Sequence, residues 1–177
     1  MKKILFFAFA FINIGNTHAQ TNYYVDGISG SDLNSGTSLV LAWKTIQKAC
    51  NSATANSIVQ IKGGTYNENI IVNVSGTLGN PITIKNYMND LVLIDGTGTS
   101  GTTILSMTNK NYLNFENLTI QNLTVLDAQG ILVSSSGIST ATALSFKNIT
   151  IKNIKWTTSA STIPTFTDNA QGFVLTP

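Results

Sequence analysis

Leu113-Asn114-Phe115-Glu116-Asn117-Leu118-Thr119-Ile120-Gln121-Asn122 returns 31 residues later as Leu144-Ser145-Phe146-Lys147-Asn148-Ile149-Thr150-Ile151-Lys152-Asn153. A third stretch, Ile82-Thr83-Ile84-Lys85-Asn86-Tyr87, matches Leu118-Thr119-Ile120-Gln121-Asn122-Leu123 and Ile149-Thr150-Ile151-Lys152-Asn153-Ile154. Self-similarity at a spacing of roughly 20–50 residues marks a stacked array of coils. Leu113, Phe115, Leu118 and Ile120 all point inward only if the chain bends around Glu116-Asn117. Asn accepts the left-handed backbone of such a bend better than most residues. Equivalent Asn residues on successive coils then stack and share amide hydrogen bonds. Thr119 and Thr150 point outward, where β-branching suits a strand.

Working outward, short apolar runs flank these repeats. They are Ile58–Ile61, Ile70–Val72, Ile82–Ile84, Leu91–Ile94, Ile104–Met107, Ile131–Val133 and Phe173–Leu175, separated by Gly, Asn and Ser clusters. Such spacing alone fits a sandwich, a barrel or a solenoid. Antiparallel hairpins would need two-residue turn signals, which are sparse, whereas the repeat favours a parallel β-helix. Variable loops at Ser134–Ala143 and Thr157–Gln171 would bulge from the turns without disturbing the stack. Only residues 43–55, WKTIQKACNSATA, carry a helical period, with Ile46, Ala49, Cys50 and Ala53 on one stripe. Cys50 in that stripe reads as a small buried hydrophobe and Trp43 as a packing anchor. Asp32, Asn34 and Gly36 lack the further oxygen ligands of a calcium loop and read as Asx turns.

The first segment reads MKKILFFAFAFINIGNTHAQ. Lys2 and Lys3 precede an apolar run too short for the roughly 20 residues of a membrane span. Thr17 and Ala19 suit a signal peptidase, so residues 1–19 read as an export signal cleaved after Ala19. Removal takes Lys2, Lys3 and His18, leaving eight Lys against 8 acids, with no His and no Arg. Imidazole-based nucleophilic catalysis, histidine-dependent zinc sites and bidentate Arg recognition are thereby excluded. A formally neutral chain is also a poor nucleic-acid binder. One Cys rules out a disulfide-built fold.

Four stretches carry a family likeness: YYVDGISGSDLNSGTS (23–38), AWKTIQKA (42–49), IVQIKGGTYNENI (58–70) and SGTLGNPITIKNY (75–87). LVLIDG (91–96) and the FENLTI and FKNITI rungs extend it. Together they resemble the N-terminal part of the pectate-lyase-like superfamily, among secreted bacterial members that include polysaccharide lyases. The resemblance implies an all-β, right-handed parallel β-helix with a short N-terminal capping helix at 43–55, shielding strand edges. The expected organisation is the signal at 1–19, an N-terminal strand, loop and capping helix at 20–57, and coils over 58–177.

The resemblance also implies a Lys or Arg base, often with calcium held by acids, removing the proton α to a uronate carboxylate. Neither the catalytic nor the substrate-binding residues of that machinery can be assigned in this chain. Asp90, Asp95, Asp127 and Asp168 are scattered, Glu68 lies near the cap, and Glu116 lies at a bend. Lys85 and Lys152 recur at one repeat position and read, with Lys110, Lys147 and Lys155, as solvated outer-face residues. No metal site is expected here; calcium would belong to the full-length protein. Gly172-Phe173-Val174-Leu175 begins a strand matching Gly130-Ile131-Leu132-Val133, without the cap a solenoid end needs. The expectation is therefore the N-terminal part of a longer secreted monomer acting on polysaccharide. A uronate lyase leads, a glycosidase follows, and a non-catalytic surface or glycan-binding protein is the alternative.

Overall fold

A computed structural model of the chain describes residues 19–157 and 169–176. The signal segment through His18, Asp168 and most of the 157–171 loop lie outside the described residues. Thirteen strands and one helix follow in the order β1 (Thr21–Val25), α1 (Ile46–Ser52), β2 (Ser57–Ile61), β3 (Gly64–Tyr66), β4 (Ile70–Ile71), β5 (Ile82–Asn86) and β6 (Val92–Asp95). The chain continues through β7 (Thr103–Thr108), β8 (Asn111–Glu116), β9 (Thr119–Thr124), β10 (Ala128–Ser134), β11 (Thr142–Lys147), β12 (Thr150–Lys155) and β13 (Ala170–Thr176). Strands pair in parallel in three sheets, ordered β1-β2-β5-β8-β11, β3-β6-β9-β12 and β4-β7-β10-β13. One coil, such as β8-β9-β10, thus contributes one strand to each sheet.

The bends explain why the sequence coils. Asn117 and Asn122 are left-handed, at φ 56° and 59°, as are Asn148 and Asn153 in the next coil, at 53° and 56°. Each left-handed residue interrupts the period-2 alternation of a strand. The inward residues therefore run Leu113, Phe115, Leu118, Ile120, Leu123, and all five are buried. Between coils the amides pair: Asn148 Nδ2 donates to Asn117 Oδ1 at 2.9 Å, and Asn117 Nδ2 to Asn86 Oδ1 at 3.1 Å. A second ladder runs from Asn153 Nδ2 to Asn122 Oδ1 at 3.0 Å. Inside, Phe115 and Phe146 stack with ring centroids 5.3 Å apart.

One expected alignment is corrected. Residues 82–87 do not lie under 118–123; Ile82 pairs with Leu113 and Ile84 with Phe115. The same apolar-x-apolar-x-Asn arm occurs twice per coil, before Asn117 and before Asn122, so the motif matches itself in the wrong sheet. Lys85 and Lys152 are consequently not equivalent. Lys85 neighbours Glu116, and Glu116 neighbours Lys147, on the first sheet. Lys152 neighbours Gln121 on the second.

The N-terminal end is closed on the first and third sheets. Trp43 N–H donates to Tyr24 O and Asp26 N–H to Trp43 O, covering the edge of β1. Trp43 stacks on Tyr23 at 4.7 Å, and its Nε1 donates to Asn34 O at 2.9 Å. Gly36, at φ 76°, packs against the indole, where a Cβ would come within 2.4 Å of the ring. The helix is shorter than the expected 43–55 because Thr45 is its N-cap, with Oγ1 accepting from Lys48 N–H at 3.0 Å. Ile46, Ala49, Cys50 and Ala53 are all buried, as the helical stripe requires. Gln47 covers the edge of β4 by mimicking a strand: its Oε1 accepts from Ile71 N–H and its Nε2 donates to Ile71 O, both at 2.8 Å. At the other end, Leu144, Phe146, Ile149, Ile151 and Ile154 are only partly buried, and Leu175 is 71% exposed.

Two measurements test this account. Replacing Asn117 with Gly keeps the left-handed bend but removes two ladder bonds, whereas Asn117→Ala also strains the backbone. The urea midpoint of Asn117→Ala should fall below that of Asn117→Gly by an equivalent of about 1 kcal/mol. Equal midpoints would show that the bend does not require a left-handed residue. Ser57 Oγ is the one buried side-chain polar atom among the described residues without a partner. Ser57→Ala should leave stability unchanged or raise it by up to about 1 kcal/mol, and a clear loss would mean the hydroxyl has a partner.

Candidate functional site

Two adjoining clefts of about 260 Å³ each lie where the second sheet turns toward the third. Gly96–Thr99 form one wall, Asn122–Val125 at the end of β9 the floor, and Asn153 with Lys155 of β12 the far side. Thr97, Asn122 and Thr124 line both. The wall is set by residues of the preceding coil: Asn67 Nδ2 donates to Thr97 O at 3.1 Å, and Asn69 Oδ1 accepts from Gly101 N–H at 2.8 Å. Gly96 passes so close to the next coil that a Cβ there would meet Leu123 Cβ at 2.9 Å.

Beneath the cleft Asp95 is only 5% exposed. Its Oδ1 accepts from Thr97 N–H at 2.8 Å, and its Oδ2 from Gln121 Nε2 at 2.8 Å and Asn122 Nδ2 at 2.7 Å. Burial alone would push this carboxyl up, but the donors of Thr97, Gln121 and Asn122 outweigh it and hold it below its ordinary value. Asp95 is thus the anionic foot of the Asn122–Asn153 ladder, not an acid poised to exchange a proton. Among the described residues, the cleft lining offers Thr hydroxyls, amides, backbone groups and the Lys155 ammonium, and no carboxylate. Such a lining can grip a hydroxyl-rich ligand by hydrogen bonds. By itself it has no acid–base pair.

Three more of the described acids, Asp32, Glu68 and Asp26, hold the fold. Asp32 Oδ1 accepts from Lys44 and Thr45 N–H, and its Oδ2 from Thr45 Oγ1. Glu68 receives Ile46 and Gln47 N–H, one on each oxygen, at 3.0 and 2.8 Å; burial raises its pKa despite those bonds. Asp26 Oδ1 accepts from Ile28 and Ser29 N–H in an Asx turn, and its Oδ2 pairs with Lys62 Nζ at 2.6 Å. The Asp26 bond holds the Lys62 ammonium above its ordinary pKa, which makes it a poor base. Asp127 is exposed at a left-handed bend before β10, and Glu116 lies between Lys85 and Lys147. Lys110 Nζ donates to Asn73 O at 3.1 Å, while Lys147, Lys152 and Lys155 are exposed. Burial pushes the Cys50 thiol up to about 12, leaving it inert at neutral pH.

No three acidic, Cys or His side chains among the described residues come together to hold a metal ion. The described residues therefore do not fit the calcium that the family resemblance implies. Sequence reading passed over the Asp95-Gly96-Thr97-Gly98 wall, although its turn residues were the available signal. The Asp26–Lys62 pair, 36 residues apart, left no local signal at all.

No family model matches the chain. Over 150 residues it is 33% identical to the uncharacterized protein YwoF of Bacillus subtilis, a match covering 80% of this chain and 31% of that protein. Over 75 residues it is 39% identical to pectate lyase PEL9 of Emericella nidulans, covering 41% of this chain and 18% of that enzyme. The chain therefore spans less than a third of either relative. Among solved structures it is similar to a GH136 lacto-N-biosidase from Eubacterium ramulus (TM-score 0.66, 19% identity, 89% of this chain and 30% of that one). It is also similar to pectate lyase Pel9A (TM-score 0.55, 21% identity, 73% and 33%). The fold is that of the pectate-lyase-like parallel β-helices: all-β, with a short capping helix at the N-terminal end.

Asp95 gives a pH test. Because its folded pKa is depressed, the stability it contributes is fully present above its ordinary value of 3.8 and is lost as pH falls through the folded pKa. Asp95→Asn should cost about 1–3 kcal/mol in urea unfolding at pH 7 and flatten the acid-side decline. An unchanged slope between pH 5 and pH 2.5, roughly the window of a depressed carboxylate, would count against the charged foot.

Proposed function

We propose that this chain is the N-terminal part of a longer secreted β-helix protein that acts on polysaccharide, most specifically a lyase that cleaves uronate polymers by β-elimination. The 39% identity to a pectate lyase over 75 residues carries this reading, supported by the shared coil architecture with Pel9A. The basic and apolar start at Lys2–Ile14 supports export, and cleavage after Ala19 would release a monomeric chain. No helix among the described residues is long and apolar enough to cross a membrane.

In β-elimination a base removes the proton α to the carboxylate, the electrons form the new double bond, and the glycosidic oxygen leaves. The described coils supply a cap and a binding wall for that reaction. Thr97 and Thr124 are placed to hydrogen-bond sugar hydroxyls, and Lys155 to meet a uronate carboxylate. The proton-abstracting base and any cation ligands are assigned to further coils, whose inward residues would cover Phe146, Ile149 and Ile154. A second reading, a non-catalytic glycan-binding protein, is favoured by one feature: the described residues that line the cleft include no carboxylate. A glycosidase would need carboxylates about 5–10 Å apart across a substrate, and the described lining of the cleft includes none.

The test is an assay of the full-length protein on polygalacturonate and other uronate polymers, following absorbance of the unsaturated product with and without calcium. Product release is expected. Lys155→Ala should raise KM several-fold, roughly the worth of one charge-assisted contact, and leave kcat close to wild type. Absence of product from every uronate polymer would transfer the assignment to the non-catalytic reading.

A further inference from the structure

The turn between the first and second sheets carries a cluster separate from the cleft, which lies on the next turn of the coil. Three successive coils build it: Tyr24 near the end of β1 with Asp26 just after it, Lys62 and Gly63 after β2, and Tyr87 and Asp90 after β5. Tyr24 and Tyr87 meet edge to face, ring centroids 6.2 Å apart at 67°, and both are half-exposed. Lys62 Nζ is fixed by Asp26 Oδ2 at 2.6 Å, and Asp90 Oδ2 by Gly63 N–H at 2.9 Å. Asp90 and Tyr87 both lie close enough to Lys62 to contribute to its raised pKa. The Tyr87–Asp90 turn is closed by Asp90 N–H to Tyr87 O at 2.9 Å and braced by Asn86 Nδ2 to Asp90 O at 2.9 Å. It also holds Met88 left-handed at φ 50° and 73% exposed, an unfavourable backbone for that side chain.

Several polar atoms in this fixed cluster have no partner. Among the described residues, Tyr24 Oη, Tyr87 Oη and Asp90 Oδ1 take part in no hydrogen bond. We infer that this cluster is a carbohydrate-binding subsite for an uncharged sugar residue, distinct from the cleft and independent of the lyase reading. The tyrosine pair presents a rigid, amphipathic surface for the C–H face of a pyranose. Asp90 Oδ1 accepts from a sugar hydroxyl, and the remaining Lys62 N–H groups donate to a neighbouring one. Charge selects the class of sugar. Asp26 already neutralises Lys62, so Asp90 leaves the cluster net negative, which disfavours a uronate and leaves a neutral hexose or pentose unit.

Native gel electrophoresis of the full chain through soluble galactan, xyloglucan and polygalacturonate tests this. Retardation by at least one neutral polymer is expected. Tyr87→Ala should weaken it about five-fold, the worth of one aromatic contact, while Tyr87→Phe keeps most of it. Asp90→Asn, which retains an acceptor for Gly63 N–H, should weaken neutral binding and strengthen retardation by polygalacturonate. Lys152→Ala, an exposed lysine in neither the cluster nor the cleft lining, should leave neutral binding unchanged. No retardation by either neutral polymer, or retardation indifferent to Tyr87→Ala and Asp90→Asn, overturns the inference. So does retardation abolished by Lys152→Ala. Lyase activity of the full-length protein is measured separately: retention without activity leaves the subsite standing, and activity without retention removes the subsite alone.

Discussion

Closing a coil with short strands requires the backbone to turn without breaking the stack, and left-handed Asn meets that constraint. Asn117, Asn122, Asn148 and Asn153 each adopt the conformation that most side chains resist, and each joins its amide to the coil before it. One residue type therefore supplies both the bend and the bond across coils. Tyr112 and Ala143 occupy equivalent left-handed positions on successive coils without an amide to donate. They show that the stack can impose the bend on a residue that would otherwise avoid it. The ladders are directional, each amide donating toward the N-terminal end, where one finishes on the Asp90 backbone carbonyl and the other on the Asp95 carboxylate.

That directionality explains how the acids are used. The chain has 8 acidic residues, and among those described Asp26, Asp32, Glu68, Asp90 and Asp95 all accept backbone N–H groups. Loops that cross the end and corners of a solenoid expose backbone donors that no neighbouring strand can satisfy, and a carboxylate satisfies two or three at once. Asp26, Asp32, Glu68 and Asp95 have both carboxylate oxygens engaged in hydrogen bonds, and of the five only Asp90 keeps an oxygen, Oδ1, without one among the described residues. The coils described here are built to hold shape and present side chains. This follows from their hydrogen bonding and owes nothing to what any similar protein does.

Much of this was legible in the sequence. The Asn-bounded arms mark the coil, the inward set Leu113, Phe115, Leu118 and Ile120, and the amide ladder. The same arms concealed the register of 82–87, because an identical pattern on two sheets gives a local motif no means of telling which sheet it occupies. Strand β3 escaped notice because Gly64-Thr65-Tyr66 buries only Tyr66 and has no alternation to detect. The cleft was harder still. Its residues come from three coils, and their proximity depends on loop lengths that place Thr97 over Asn122 and Asn153. The Tyr24–Tyr87 cluster is similarly a property of the stack, since neither tyrosine has the other within its own coil.

The two ends of the stack are physically unlike. In a solenoid each coil is stabilised mainly by its neighbours, so a terminal coil with one neighbour is the weakest point. At the N-terminal end Trp43, Gln47 and Glu68 replace the missing neighbour with side chains, and no core residue there is more than 5% exposed. At the other end Phe146 and Ile154 are only partly covered, and Asn148 and Asn153 are the last amides of their ladders among the described residues. Because every ladder bond runs toward the cap, order can propagate from the capped coils outward without reversing any amide. The cap therefore fixes both the edge chemistry and the polarity of the whole stack, and the sites on its corners inherit their rigidity from it.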